Sequence, residues 1–377
     1  MELTRFKEHL ELPKNEQYFL DKFKEYQFKN SIQEHNISVR NWNNLIEKFN
    51  NWKFEENSSI IVWFNTELYL MLKTLKQNTN LNIRIFFVTD IKKLKDLENV
   101  IYINNITKKT KKLKKIILNF IKKHNMKNFD YGIINPPFDY ARDFHKIVKE
   151  ICDKSLHIDK AEFLFKPDGY KNTITEDSTL TEITYHGNVL FGLSGVNTCD
   201  FSFDKTTPST TYKYSNLETG DSIILDKSIN NILSINPSDS NSVNIPKNNL
   251  AKYHLRGITD KKDTLANGKY QIIVGNGFRG KEPTIRYINE LTSKHMDIYN
   301  SWKLTFPWVG NPKTLGVVRI IEPGITIGIG VGALTFNTEK EATRVFNLLN
   351  TDEYKKRIEL YKVNDVNAQH IFSILQD

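Results

Sequence analysis

Nowhere in this chain's 377 residues does an apolar run approach the roughly 18 residues of a membrane-spanning helix. Helical membrane proteins are therefore excluded as a class. Cysteine is equally scarce: Cys152 and Cys199 are the only two, too few for a disulfide framework or a thiolate metal site. That points to a reducing, cytoplasmic setting. The opening stretch, MELTRFKEHLELPKNEQ, has acids within its first dozen residues and no apolar stretch leading to a small-residue cleavage site, so it does not read as a secretory signal. Histidine adds no metal chemistry, because His124, His145, His157 and His186 lack ligand spacing and are expected as surface or core residues. No metal is expected, and no internal repeat is visible.

What is present begins with charge. The formal net charge is +9, and the segment from Lys108 to Lys123, KKTKKLKKIILNFIKK, holds eight lysines and no acid, which leaves the remainder near neutral at +1. A local basic face suits double-stranded DNA, whose binding is driven by counterion release, and makes Lys111, Lys112 and Lys115 candidate contacts. A solvated helix face accounts for the run equally well.

The length fits two domains. Residues 1–56 show helical spacing in Tyr18, Phe19, Phe23, Tyr26 and in Trp42, Leu45, Ile46, Phe49, and read as a helical lead-in. From Ser58, short apolar runs alternate with amphipathic stretches. SIIVWF (59–64), NIRIFFVTD (82–90), NVIYINN (99–105) and FDYGIIN (129–135) read as strands, with a helix over 66–77 and another in the lysine-rich segment, where Leu113, Ile116, Ile117, Phe120 and Ile121 share one side. Alternation of this kind predicts an α/β fold with a mostly parallel sheet. A helix over 139–156, a fifth strand AEFLFKP (161–167) and a hairpin within 188–205 are expected to complete a core over 57–210. Residues 211–245, rich in Ser, Thr, Asn and Asp, read as a linker, and 246–377 as a second, β-rich domain with a late helix near Glu339 to Leu349.

The informative tetrapeptide is Asn135-Pro136-Pro137-Phe138, placed after the apolar strand YGII and preceded by Asp130. Two prolines end a sheet ladder and make a stiff extended turn. At the carboxyl end of a parallel strand, that turn lies on the edge where open α/β sheets bind ligands. The side-chain oxygen of Asn135 and the carbonyl of Pro136 then form two convergent acceptors beside the flat face of Phe138, an arrangement suited to the exocyclic amino group of a planar base. A short Asn-Pro-Pro turn also occurs as a structural element.

Here the chain resembles the amino-group DNA methyltransferases, the Asn form of whose motif is typical of the adenine N6 enzymes found in restriction-modification systems. The resemblance extends weakly over 58–377: NVLFGLSGVNTCDFSFDK (188–205), RIIEPG (319–324) and FNTEKEA (336–342) are similar to segments of the subfamily whose DNA-recognition domain comes last. It implies a Rossmann-like methyltransferase core, S-adenosylmethionine as cofactor, and an adenine flipped from the duplex. Asn135 and Pro136 would orient its N6 for in-line methyl transfer, and Pro137 and Phe138 would complete the pocket, with Phe138 stacking on the base.

The resemblance also implies cofactor contacts after the first three strands. The family places a glycine-rich turn after the first strand, whereas here Trp63-Phe64-Asn65-Thr66-Glu67 contains no glycine, so Phe64, Asn65 and Glu67 occupy those positions. Asp90 stands where an acid meets the ribose hydroxyls, and Asn104 or Asn105 where the family has an acid near the cofactor's adenine. All three also suit turns. Two readings follow: an active adenine methyltransferase, or a degenerate DNA-binding relative whose partner subunit completes the site. In the C-terminal region, basic and aromatic residues interleave from Lys252 to Trp308, with VGNGFRGKEP (274–283) as a glycine-rich turn. Arg256, Arg279, Lys281 and Trp308 are the expected DNA contacts there.

Overall fold

The computed structural model describes residues 54–63, 68–69, 72, 76, 82–89, 99–103, 110–136, 141–165, 168–187, 190, 196–228, 233–241, 248–277, 281–311, 313–362, 367 and 369–377, with the backbone alone at 110–112 and 370. The expected lead-in, apart from its last three residues, lies outside the described residues. The chain divides into two compact units, one of Met1–Ala161 and Asn172–Ile229, the other of Glu162–Lys171 and Asn230–Asp377.

The first unit is built on parallel strands β1 (Ser59–Trp63), β2 (Arg84–Thr89), β3 (Val100–Tyr102), β4 (Phe129–Ile134) and β5 (Cys152–Lys160). They stand in the order β3-β2-β1-β4-β5. Continuous apolar runs such as SIIVW and YGII are what a sheet covered on both faces demands. One face is closed by α1 (Thr110–Lys123) and α2 (Ala141–Ile151). Leu113, Ile117 and Ile121, four residues apart along α1, join Phe144, Val148 and Ile151 of α2 in a single core against Ile61, Trp63, Phe86, Val88 and Phe129. On the other face, Tyr69 stacks on Phe87 at 4.8 Å and Phe54 meets the Tyr131 ring edge-on, also at 4.8 Å. Asp130 fastens the amino ends of β1 and β4 by accepting hydrogen bonds from Ser59 N and Ser59 Oγ at 2.7 Å.

The sheet continues beyond β5 with β6 (Leu180–Gly187), β7 (Thr198–Asp204), β8 (Thr211–Asn216) and β9 (Ser222–Asp226), in the order β5-β7-β6-β8-β9. The architecture is α/β with a mostly parallel, Rossmann-like sheet, β7 running antiparallel between β5 and β6. Four expectations are corrected here. The fifth strand is Cys152–Lys160, the helix before it ends at Ile151, and AEFLF is a 3-10 turn, Ala161–Phe165. A short apolar run does not distinguish strand from buried turn by period alone, and pairing of Cys152–Lys160 on both edges, with β4 and β7, overrides the helical spacing that continues into it. The hairpin is formed by β7 with β6, LTEITYHG being the strand in register with it, and most of the expected first arm, 188–189 and 191–195, lies outside the described residues. Residues 211–226, expected in the linker, form β8 and β9: Tyr212, Tyr214 and Leu225 are buried, and their alternation with polar neighbours is a strand pattern despite the polar composition.

The second unit holds α3 residues Gly169–Lys171 (the helix runs Gly169–Thr175) and two small sheets. Its strands are β10 (His254–Arg256), β11 (Tyr270–Gly275), β12 (Thr284–Ile288), β13 (Trp302–Pro307), β14 (Arg319–Ile321), β15 (Ile325–Ile327) and β16 (Val331–Phe336), paired as β10-β16-β13-β14 and β12-β11-β15. Helices α4 (Ser293–Tyr299), α5 (Glu339–Leu349), α6 (Asp352–Tyr361) and α7 (Gln369–Phe372) accompany them. The segment FNTEKEA is a helix start: Thr338 Oγ1 accepts from Glu341 N, and Thr338 N donates to Glu341 Oε2, each at 3.3 Å. RIIEPG is β14 and its turn, where Gly324 takes a φ of +100° that a side chain would strain.

In the core of the first unit, Gly132 of β4 has no room for a side chain. A Cβ there would lie 2.8 Å from Val148 Cγ1 and closer still to Cys152 Sγ. Gly132→Ala is expected to destabilise the protein by about 1–3 kcal/mol through overpacking, measured by urea denaturation; an unchanged midpoint would show that α2 and β5 yield without cost.

Candidate active site at the carboxyl edge of the sheet

Between β1 and β4 the chain reverses its direction of travel across the sheet, since β1, β2 and β3 succeed one another on one side while β4 and β5 lie on the other. Ligands bind outside the carboxyl ends of strands at such a switch point. Asn135 stands directly there. Its backbone N donates to Trp63 O at 3.5 Å, continuing the β1–β4 ladder by one step, and Pro136, without an N–H, ends it.

The Asn135 side chain is 1 % exposed. Neither its Oδ1 nor its Nδ2 has a hydrogen-bond partner among the described residues. An orphaned buried amide costs on the order of 1–3 kcal/mol per unsatisfied group. A bound ligand with polar groups of its own would offset that cost. Pro136 is buried beside it. Pro137 and Phe138 lie outside the described residues, as do Phe64, Asn65, Glu67, Asp90, Asn104 and Asn105.

Next to Asn135 along this edge, buried polar groups occupy both faces of the sheet around β5, β6 and β7. On the α2 face, His145 Nδ1 lies 3.7 Å from Asp159 Oδ2 and its ring meets His157 at 5.0 Å. His157 stacks on Phe201 at 5.3 Å, and its Nε2 is 2.7 Å from Ser155 Oγ. Burial holds His145 down at about 3 and holds His157 well below the usual imidazole range, so both rings are neutral at pH 7. Burial likewise pushes the Asp159 carboxyl up to about 7, against the opposing pull of the Lys160 N–H and the Arg142 and Lys160 charges. On the opposite face, His186 Nε2 lies 2.6 Å from Asp200 Oδ2 and its Nδ1 is 3.1 Å from Thr198 Oγ1. Spacing in the sequence did not group these residues, because strand pairing across tens of residues brings them together; the only local sign is a polar residue inside an apolar strand. Among the described residues no group of His, Cys, Asp and Glu could hold a metal ion, and no helix is long and apolar enough to cross a membrane.

The basic candidates divide. Lys115 is exposed on α1, while the side chains of Lys111 and Lys112 are not described. Their neighbour Lys114 is committed to Glu150 of α2 at 2.7 Å. In the second unit the structure brings two expected contacts together: the exposed Arg256 guanidinium lies 4.3 Å over the Trp308 ring. Lys281 is exposed and its carbonyl accepts a hydrogen bond from Arg319, and Arg279 lies outside the described residues. Lys303, one of the interleaved basic residues, is fully buried; its Nζ donates to Glu322 O at 2.8 Å and burial lowers it to about 8, so it does not face a phosphate.

The Asp159 carboxyl gives the site a pH signature. The folded protein holds a proton that the unfolded chain releases near pH 4, so the stability this linkage supplies is complete below pH 4 and is lost as pH rises through about 7. Asp159→Asn has no such loss. Its stability relative to the natural protein is expected to improve by a few kcal/mol between pH 5 and pH 8, at about 1.4 kcal/mol per unit of displaced pKa. Urea titrations of both proteins at the two pH values measure this; a constant difference would place an ionised carboxylate in the fold throughout.

No family model matches the chain, and no curated protein matches it. Among solved structures, it is similar over 99 % of its length, and 67 % of that chain, to the type IIL restriction-modification enzyme MmeI in complex with DNA, at 7 % identity and a TM-score of 0.49. It is similar over 43 % of its length to the methyltransferase subunit of the type I restriction-modification system from Streptococcus thermophilus, at 12 % identity and a TM-score of 0.31, and over 55 % to the M protein of the type I restriction enzyme EcoKI, at 10 % and 0.27. The chain spans 42 % and 55 % of the lengths of the latter two.

Proposed function

We propose that this protein is a DNA adenine N6 methyltransferase that uses S-adenosylmethionine, with Asn135 and Pro136 as the residues that hold the target amino group. The observation that carries this reading is the orphaned, buried amide of Asn135 at the switch point of the sheet. Asn135 Oδ1 and the Pro136 carbonyl accept the two hydrogens of an exocyclic amino group. Taking both hydrogens turns the nitrogen lone pair out of conjugation with the base, which prepares it as a nucleophile. Phe138 offers a face on which the flipped base stacks. The residues following β1, β2 and β3, namely Phe64, Asn65, Glu67, Asp90, Asn104 and Asn105, would hold the cofactor, and an unsatisfied polar group on the same edge fits that donor set. When bound, S-adenosylmethionine supplies an electrophilic methyl group. The chain contributes position and the exclusion of water, and position dominates such a transfer. Duplex DNA is the substrate of this reading, with Lys111, Lys112, Lys115, Arg256, Arg279, Lys281 and Trp308 as its contacts.

A second reading, a DNA-binding relative that needs a partner subunit to complete its cofactor pocket, is favoured by one feature, the glycine-free sequence Phe64-Asn65-Thr66-Glu67 after β1. Calorimetric titration with S-adenosylmethionine separates the two: heat of binding supports the active enzyme, and its absence together with no thermal shift at millimolar cofactor supports the second.

Asn135→Ala is expected to lower formation of N6-methyladenine, quantified after nuclease digestion of the DNA, on the order of a hundredfold or more, with DNA affinity nearly unchanged. Full turnover in the variant, or methyl groups on cytosine, would overturn the assignment. Affinity for duplex DNA should also fall steeply from low to moderate salt as condensed counterions are released; a flat salt response would remove the lysine face and the basic residues of the second unit from the binding surface.

A further inference from the structure

At one end of the four-stranded sheet of the second unit, three segments are sewn together by backbone hydrogen bonds. Trp308 N donates to Gly330 O at 3.0 Å, Ile329 N to Thr259 O at 2.9 Å, and Gly257 N to Val331 O at 3.3 Å. The approach is close enough that a Cβ on Gly257 would collide with the Gly328 carbonyl. This seam turns large apolar side chains outward: Ile258 is 46 % exposed, Val309 55 % and Ile329 39 %. Thr259 faces inward, its Oγ1 2.9 Å from His295 Nε2, which sends its neighbour Ile258 to the other side. Beside them the Arg256 guanidinium lies stacked on Trp308. One exposed isoleucine is ordinary; three exposed aliphatic side chains in the segments that this seam joins, together with a stacked Arg–Trp pair, are more than scattered apolar residues.

Charge identifies what that surface meets. Between Leu250 and Ile320 there are twelve Lys and Arg against five Asp and Glu, a surplus of seven. Lys261, Lys262, Lys269 and Lys281 are exposed in that stretch, the first two directly after the seam. Protein interfaces are depleted of lysine at their centres, and a lysine-rich surround suits a polyanion. Aliphatic side chains next to an arginine are the combination that pries apart a base step from the minor groove, where arginine is favoured by the negative potential.

We infer that Ile258 and Ile329 form a wedge that presses into a base step of duplex DNA while Arg256, held on Trp308, enters the minor groove, so that the protein bends the DNA it binds. This rests on the reading above that the chain acts on duplex DNA. Bending lets the duplex meet more of the basic residues of this unit than a straight one reaches.

The test uses the full chain and a pool of random-sequence duplexes with a fluorophore at each end, read for binding by anisotropy and for bending by energy transfer. The natural protein is expected to shorten the end-to-end distance. The double variant Ile258→Ser, Ile329→Ser, both exposed sites whose melting temperature should not change, is expected to bind on the order of tenfold more weakly, to lose the bend and to keep the salt slope. Arg256→Gln should reduce the salt slope by about one ion. Binding by the natural protein without any bend, or a double variant that binds and bends like it, overturns the wedge while leaving the DNA reading intact. Failure of the natural protein to bind duplex at low salt overturns the DNA reading itself, and the wedge with it. Self-association on sizing columns that the serine variant abolishes would assign the face to a second copy of the chain and overturn the wedge.

Discussion

The edge that presents Asn135 is made by a hydrogen bond that cannot form. Asn135 N still reaches Trp63 O, but Pro136 has no N–H to give, so β4 leaves the sheet at that point. β1 and β4 are neighbours across the switch in strand order, the position at which open α/β sheets bind ligands. The amide of Asn135 is buried and unsatisfied there among the described residues. What positions it is rigid: Gly132, three residues earlier, allows α2 and β5 to close on β4, and Asp130 locks the start of the strand to Ser59. The strand therefore presents Asn135 from a fixed base.

Between α2 and the sheet, electrostatics along the same edge are governed by burial. His145, His157 and Asp159 all lie in a low-dielectric layer between α2 and the sheet, and each is driven toward its neutral form. The neighbouring His186–Asp200 contact, on the other face, is closer at 2.6 Å and is completed by Thr198. The edge thus combines one unsatisfied amide with a buried, tightly packed surround. In such a medium a hydrogen bond to a ligand is stronger than in water, which suits a site whose contribution is positioning.

The second unit uses its cations in two ways. Some lysines serve the fold: Lys303 reaches Glu322 O from full burial, and the Lys362 Nζ donates to Asn311 O and Thr314 O at 2.6 Å. Others, such as Lys261, Lys262 and Lys281, remain exposed. Composition does not separate the groups, since the same side chain either caps a carbonyl inside or stays in solvent depending on where its long stem is covered.

The sequence by itself determined the α/β class, the first four strands to within two or three residues, the amphipathic face of α1 and the start of α5, because each is written in local periodicity or in a capping pattern such as Thr338 to Glu341. It also singled out Asn135, since two prolines after an apolar strand have few structural outlets. Tertiary structure alone decided that Cys152–Lys160 is a strand, that β7 pairs with β6, and that 211–226 belongs to the sheet: those segments carry mixed or polar patterns that become strands only when partners far away in the chain supply their hydrogen bonds. It alone decided, too, that Lys303 is hidden, that Arg256 rests on Trp308, and that His145 and Asp159 meet, because contact across a sheet is set by register and order, and neither is encoded in the spacing of the residues that touch.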